Sequence, residues 1–317
     1  MEIKKNDKFT VTIEDMGEDG AGIGRVDGYI WFVKDALIGD TIEASAMKMK
    51  KNYGFARLVR VITPAKGRVE AKCPVARACG GCQLQELDYK EQLKFKEKKV
   101  YNHLKRIGGM ENLFLPEEAD QAAGVPDAVI MEPIIGMEDP WRYRNKAQYP
   151  IGRGKDGKPT AGFFAGRTHS LIPVPELDCL LGCGENKDYL AAVLKFMEDF
   201  GVEPYDEANH KGLVRHVLLR KGFASGEHMV CLVINGKKLP HEKEFIERMR
   251  EAGADSISLS FNMEKTNVIL GTEIKNLYGP GYITDKIGNI EYRISPLSFY
   301  QVNPIQTERL YGTALEF

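Results

Sequence analysis

Residues 73–82 read CPVARACGGC, and this stretch divides the chain. Three of the six cysteines in a 317-residue sequence fall inside it: Cys73, Cys79 and Cys82. N-terminal to it, the apolar patterns are all of strand type. DKFTVTIED (7–15) alternates Phe9, Val11 and Ile13 with polar residues, GEDGAGIGR (17–25) is rich in turn formers, and GYIWFV, DTIEASA and GFARLVRVI are further short β runs ending at Thr63-Pro64. Four or five short strands in about 60 residues point to a small closed barrel. Gly20, Gly22 and Gly24 imitate a dinucleotide fingerprint, but no helical pattern follows, so they are expected to form a turn.

C-terminal to the cysteines, strands and helices mix. DYKEQLKFKEKKVYNHLKRIGG predicts a helix over about 88–107, with Leu93, Val100, Leu104 and Ile107 on one face and Gly108-Gly109 as its stop. Residues 110–128 read as an acidic loop. NKAQYPIG and TAGFFAG flank RGKDGKP as a hairpin; DYLAAVLKFMEDFG and EKEFIERMREAG read as helices; GLVRHVLLRKG, HMVCLVING, SISLSFN and TNVILG read as strands. Asn303 followed by Pro304 is a helix start, an N-cap with Pro at the first position. The fold class is therefore α+β and multidomain.

Hydrophobic residues make up 43% and charged residues 28% of the chain, as in ordinary water-soluble proteins. No apolar run approaches the roughly 18 residues of a membrane helix, and MEIKKNDKFTVTIED has no apolar signal core. A cytoplasmic address is expected, where clustered thiols serve metals or catalysis rather than disulfides. The net charge of −1 hides an asymmetry. Between Lys48 and Arg106 sixteen Lys and Arg face five acids, an excess of eleven that the rest of the chain offsets. A basic stretch around a cysteine cluster points to an anionic partner, most simply nucleic acid.

One CxxC with an outlying cysteine is compatible with an iron–sulfur cluster, with zinc, or with no metal. The fourth ligand would be Cys179, Cys183, Cys231 or a histidine. The same segment, CPVARACGGCQLQELDYKEQLKFK, resembles RNA uracil-C5 methyltransferases of the 23S rRNA (uracil-5-)-methyltransferase type. The resemblance continues through WRYRNKAQYPIG, GFFAGRTHSLIPVPELDCLL, GLVRHVLLRKG, NMEKTNVILG and SPLSFYQVNPIQTERLYGTALEF, in family order.

That resemblance implies an N-terminal OB-like barrel (TRAM, RNA-binding) over 1–64. It implies a central α+β domain over 65–294 whose helix near 88–107 packs on the catalytic domain, and the beginning of a Rossmann-like methyltransferase domain over 295–317. It implies a 4Fe-4S cluster on Cys73, Cys79, Cys82 and Cys179, and S-adenosyl-L-methionine contacted by Gln301. The implied partner is structured RNA, 23S rRNA first, bound by a monomer. Lys48, Lys50 and Lys51, with Arg142, Arg144 and Lys146, are the expected RNA contacts. In that family a Cys thiolate adds to C6 of uracil and makes C5 nucleophilic toward the methyl group. The glycine-rich turn, the nucleophilic Cys and the late Glu of such enzymes do not occur in these residues. The chain is therefore expected to be the N-terminal two-thirds of such an enzyme, with no catalytic residues of its own and inert alone. The alternative is a non-catalytic RNA-binding protein with an iron–sulfur or zinc knuckle.

Overall fold

A computed structural model describes residues 3–166 and 168–317. The chain forms two compact units: 1–72 with 82–138, and 73–81 with 139–317.

The first unit contains the barrel. Its strands are β1 (Lys8–Met16), β2 (Gly22–Val26), β3 (Tyr29–Lys34), β4 (Thr41–Met49) and β5 (Tyr53–Thr63). They close in the order β1-β2-β3-β5-β4; β3 and β5 run parallel and the other pairs antiparallel. Alternation puts Val11, Ile13, Val33, Ile42, Ala44 and Ala56 inside, around Trp31. The Trp31 ring has Phe9 at 4.5 Å and Tyr29 at 5.1 Å. It lies so close over β5 that a Cβ on Gly54 would stand 2.6 Å from it, so only glycine fits there. Of the expected glycine turn, only Gly20 turns; Gly22 and Gly24 belong to β2. The reason is steric: a Cβ on Gly24 would meet the Thr12 carbonyl at 2.5 Å, so glycine is what lets β2 cross β1.

The barrel exit is fixed by a buried carboxylate. Asp40 accepts from the backbone of Leu37 (2.7 Å) and Ala65 (2.8 Å) and from the Arg68 guanidinium (2.6 Å). Arg68 also pairs with Glu86 and donates to the Asp35 carbonyl. Burial pushes Asp40 up, but Arg68 and the two N–H groups outweigh it and hold the carboxyl below its ordinary value.

Helix α1 (Tyr89–Arg106) starts where the Asp88 side chain accepts from Lys90 N. Its expected apolar face is not buried: Val100, Leu104 and Ile107 are exposed. The helix is lysine-rich and meets the barrel at Phe95, which joins Leu84, Leu87, Met16 and Leu37, and again at Lys99 and His103, which both reach Glu18. The stretch 110–128, expected as loop, carries short elements: β6 (Leu113–Phe114), which pairs in parallel with β7 (Val129–Ile130), and α2 (Ala119–Ala122) between them.

The second unit is a seven-stranded sheet with helices on it. Strands β8 (Lys146–Arg153), β9 (Pro159–Phe164), β10 (Leu171–Pro173), β11 (Val214–Lys221), β12 (His228–Ile234), β13 (Ser256–Phe261) and β14 (Glu273–Tyr278) take the order β10-β9-β8-β11-β12-β13-β14. The β8–β9 hairpin forms as the sequence predicts. Only β12 and β13 are parallel, as the helical crossover between them, α4 (Glu242–Glu251), requires. Helices α3 (Asn186–Phe200) and α4 (Glu242–Glu251) cover the core through Leu190, Val193, Phe196, Phe245 and Met249.

TNVILG, expected as a strand, is instead part of the loop from β13 to β14. The Asn262 amide takes the Val268 and Ile269 carbonyls and Arg215 takes that of Glu264, so these groups are lost to any ladder. A hairpin of β15 (Ile283–Ile287) and β16 (Ile290–Ile294) follows, then α5 (Pro304–Glu316), N-capped by Asn303 onto Gln306 N at 3.1 Å.

Removing one partner of the Asp40–Arg68 pair leaves a buried charge. Arg68→Met is expected to cost about 3–5 kcal/mol in urea unfolding followed by Trp31 fluorescence. Since the Asp40 carboxyl is held low, its contribution is present above the unfolded carboxylate range. It is lost as pH falls through the folded value, and the acid transition of the wild type should flatten in the variant.

Candidate functional site

Strand β11 supplies the framework. Its sequence VRHVLLRK places Arg215, His216 and Arg220 in an otherwise apolar strand, and all three are buried. Arg220 donates to the Pro296 carbonyl at 3.2 Å and that of Ser298 at 2.5 Å. Burial holds its guanidinium down to about 10. One residue before β8, buried Asn145 donates from its side chain to the Gln301 carbonyl (2.9 Å) and from its backbone to that of Val302 (3.0 Å). The Gln301 segment is thereby tied to the sheet through its main chain, and the Gln301 side chain takes no part in that fixing. Asn145 and Arg220 were not singled out from sequence. The readable signal was the charged and amide residues inside apolar strand patterns.

The cysteine turn belongs to the same unit up to Gly81. Cys79 N donates to Val75 O at 2.8 Å and Gly80 N to Phe164 O at 3.0 Å. A Cβ on Gly80 would meet that carbonyl at 2.7 Å, which is why glycine follows Cys79. Gly81 N donates to the Cys79 sulfur at 3.4 Å. Burial pushes the Cys79 thiol up against this hydrogen bond, and the neighbouring Cys179 and Cys73 sulfurs push it further. Cys73 and Cys179 thus both lie within electrostatic range of Cys79. Cys82 is the first residue of the segment that returns to the first unit. Among the described residues no three His, Cys, Asp or Glu side chains stand in a metal-holding arrangement. The remaining cysteines are of another kind: burial raises Cys183 and Cys231 each to about 11.

Cys179 sits on a strained turn, where Glu176 and Leu177 have φ of 52° and 59°. Arg142 braces it. Its guanidinium forms a two-pronged pair with Asp178 and donates to the Cys179 carbonyl at 3.1 Å. Arg142, expected as an RNA contact, thus has a structural task here. Arg144 pairs through its backbone with Leu181 O. Lys146 opens β8, its amine lowered first by burial and then by the charges of Arg220 and Arg144. In the first unit Lys48, Lys50 and Lys51 are all exposed at the β4–β5 turn. Beside them Phe32, Tyr53 and Phe55 form a ring cluster with centroids 5.7–5.8 Å apart.

Residues 4–59 match the TRAM domain. The chain is similar over its whole length to an uncharacterized RNA methyltransferase of Halalkalibacterium halodurans, 44% identical over 317 residues. An uncharacterized RNA methyltransferase of Clostridium tetani is 43% identical over 318 residues. In both cases 99% of this chain is matched, and it spans 65% of the relative's length. Its fold is similar to that of the matched part of the Pyrococcus abyssi tRNA (uracil-54, C5)-methyltransferase, solved with S-adenosyl-L-homocysteine. The TM-score is 0.70 at 23% identity, covering 96% of this chain and 64% of that one. No helix among the described residues is long and apolar enough to cross a membrane.

With iodoacetamide at neutral pH, Cys183 and Cys231 are expected to stay unlabelled in the native chain and to react only in denaturant, as peptide mass spectrometry would record. Native labelling of either would contradict the burial described above.

Proposed function

We propose that these residues are the RNA-recognising part of an RNA uracil-C5 methyltransferase that uses S-adenosyl-L-methionine. The observation that carries the reading is the match of 99% of the chain, at 44% identity, to a protein named as an RNA methyltransferase. The fold likeness to a uracil methyltransferase and the TRAM match support it. In this reading 1–64 grip RNA phosphates, 65–294 position the RNA, and 295–317 open the methyltransferase domain. Lys48, Lys50 and Lys51 are the first phosphate contacts, because they are exposed together. Arg144 and Lys146 are a second set, with Arg142 held back by Asp178. The RNA is proposed to be structured 23S rRNA, bound by a cytoplasmic monomer; tRNA is the competing substrate that the assay below separates.

Cys73, Cys79, Cys82 and Cys179 would hold a 4Fe-4S cluster. Its service would be to cross-link the cysteine turn, since methyl transfer moves no net electrons. Gln301 would face S-adenosyl-L-methionine, which supplies the methyl group. What this chain does toward that is positional: Asn145 and Arg220 fix the backbone on either side of Gln301. No nucleophilic cysteine is available among these residues, as Cys183 and Cys231 are buried and held protonated. The 317 residues alone are therefore inert in methyl transfer.

Anaerobically purified chain is expected to carry about four irons. Cys179→Ser should lose them and Cys183→Ser and Cys231→Ser should not; stoichiometric zinc without iron would overturn the cluster. In filter binding, neutralising Lys48, Lys50 and Lys51 should flatten the salt dependence by about 0.9 log unit per lost phosphate contact. A protein of the relatives' full length that includes these residues should transfer radiolabelled methyl to uracil C5 of unmodified 23S rRNA. Labelling of tRNA alone would move the substrate, and labelling of neither would leave only the RNA-binding reading.

A further inference from the structure

Strands β8, β9 and β11 and the loop after β13 border a half-open cavity of about 360 Å3 within the second unit. None of the residues assigned above to metal, cofactor or phosphate lines it. One wall is aromatic. Phe164 stands edge-on to His169 at 5.3 Å and to His216 at 6.5 Å between centroids. The other wall is polar, with Gln148, Arg215 and Thr266.

Two buried nitrogens of lining residues have no partner and lie turned away from the open space. His216, 4% exposed, has no partner at Nδ1, and Arg215, 3% exposed, has none at Nε. An unmet polar nitrogen in the interior is costly and calls for a reason. Burial, then the charge of Arg215, holds His216 down to about 4. Its imidazole is therefore neutral, with one nitrogen donating and the other accepting.

The chemistry excludes several occupants. A lipid or other purely apolar ligand would lie against the Gln148 amide and the Glu207 carboxylate without a polar contact to either. An isolated anion would face the Glu207 carboxylate, while Arg215 already spends its terminal nitrogens on the Asn262, Glu264 and Thr266 carbonyls. A planar ring with hydrogen-bonding edges satisfies both walls. The volume lies at the small end of the roughly 300–1,000 Å3 of small-molecule sites, enough for one base. A hollow of about 300 Å3 adjoins it across Phe164, His169 and Arg215, so the base would stay joined to a strand outside.

We propose that this cavity receives one unpaired nucleobase of the bound RNA, stacked on Phe164 and hydrogen-bonded at its edge by His216. The inference rests on the RNA reading above and adds a base-reading site to the phosphate contacts of the barrel. The base must be unpaired, because only then are its face and edge both open.

The test titrates the chain with two RNAs of equal length and charge, one fully duplex and one with a single-stranded loop. Phe164→Ala is expected to weaken looped-RNA binding about ten-fold or more and to leave duplex binding unchanged. His169→Ala, at an exposed position, and His216→Gln should weaken looped RNA in the same selective way. The first keeps the test decisive if the second melts early. A loop carrying 4-thiouridine should photo-crosslink to the peptide containing Phe164. Equal losses on both RNAs, or no loss with wild-type RNA affinity intact, would overturn the cavity's role and leave the RNA reading standing. Failure of the wild type to bind either RNA would overturn both. Free nucleosides form the last arm: saturable nucleoside binding abolished by Phe164→Ala, without any preference for looped RNA, would reassign the cavity to a free nucleoside.

Discussion

A guanidinium buried in the middle of a sheet has to be met by oxygen, and Arg220 has no carboxylate partner among the described residues. Its partners are main-chain carbonyls of 296–298, a segment with no ladder of its own. Arg215, five residues earlier on the same strand, does the same to 262–266 while its guanidinium lies 4.6 Å from the Tyr205 ring. Two irregular segments are thus organised by two cations of β11. The desolvation cost of each cation is offset only while those carbonyls converge. This constraint fixes both the approach to Gln301 and the polar wall of the cavity.

The barrel obeys a different rule. Its centre is one large ring, Trp31, and neighbouring strands are shaped to it by the absence of side chains, most plainly at Gly54. With the interior filled in this way, long polar and aromatic side chains of β3, β4 and β5 are left outside. Lys48, Lys50 and Lys51 beside Phe32, Tyr53 and Phe55 combine charge with ring surface. That pairing suits a phosphate backbone and its bases better than an apolar partner.

Much of this was legible in the sequence where the signal is local. Period-two alternation gave the barrel strands, the KDG turn gave the β8–β9 hairpin, and Asn303-Pro304 gave the start of α5. What failed was non-local. TNVILG has strand composition, but Asn262 at the start of the same loop and Arg215 from β11 take its neighbourhood's carbonyls. Strand β14, at EIKNLY, went unread because it is an edge strand with little burial. The apolar stripe of α1 read as a buried face, while the fold uses Phe95 instead. Of the candidate site, Cys73 and Cys179 lie within electrostatic range of Cys79, while no metal-holding arrangement occurs among the described residues. Arg142 was read as a phosphate contact because a lone Arg in sequence gives no sign that Asp178 waits 36 positions on.

The cysteine turn and the cavity are not independent features. Gly80 lies between Cys79 and the Phe164 carbonyl, and its lack of a side chain allows a 3.0 Å hydrogen bond there. That bond anchors the end of β9 at the residue whose ring lines the cavity. Loosening of the thiol turn would therefore reach Phe164 through one backbone hydrogen bond, without any change in β8 or β11. On this geometry whatever orders the thiol turn has a structural consequence at a site that contains no cysteine. It would hold the aromatic wall still, while the buried charges of β11 hold the polar wall opposite.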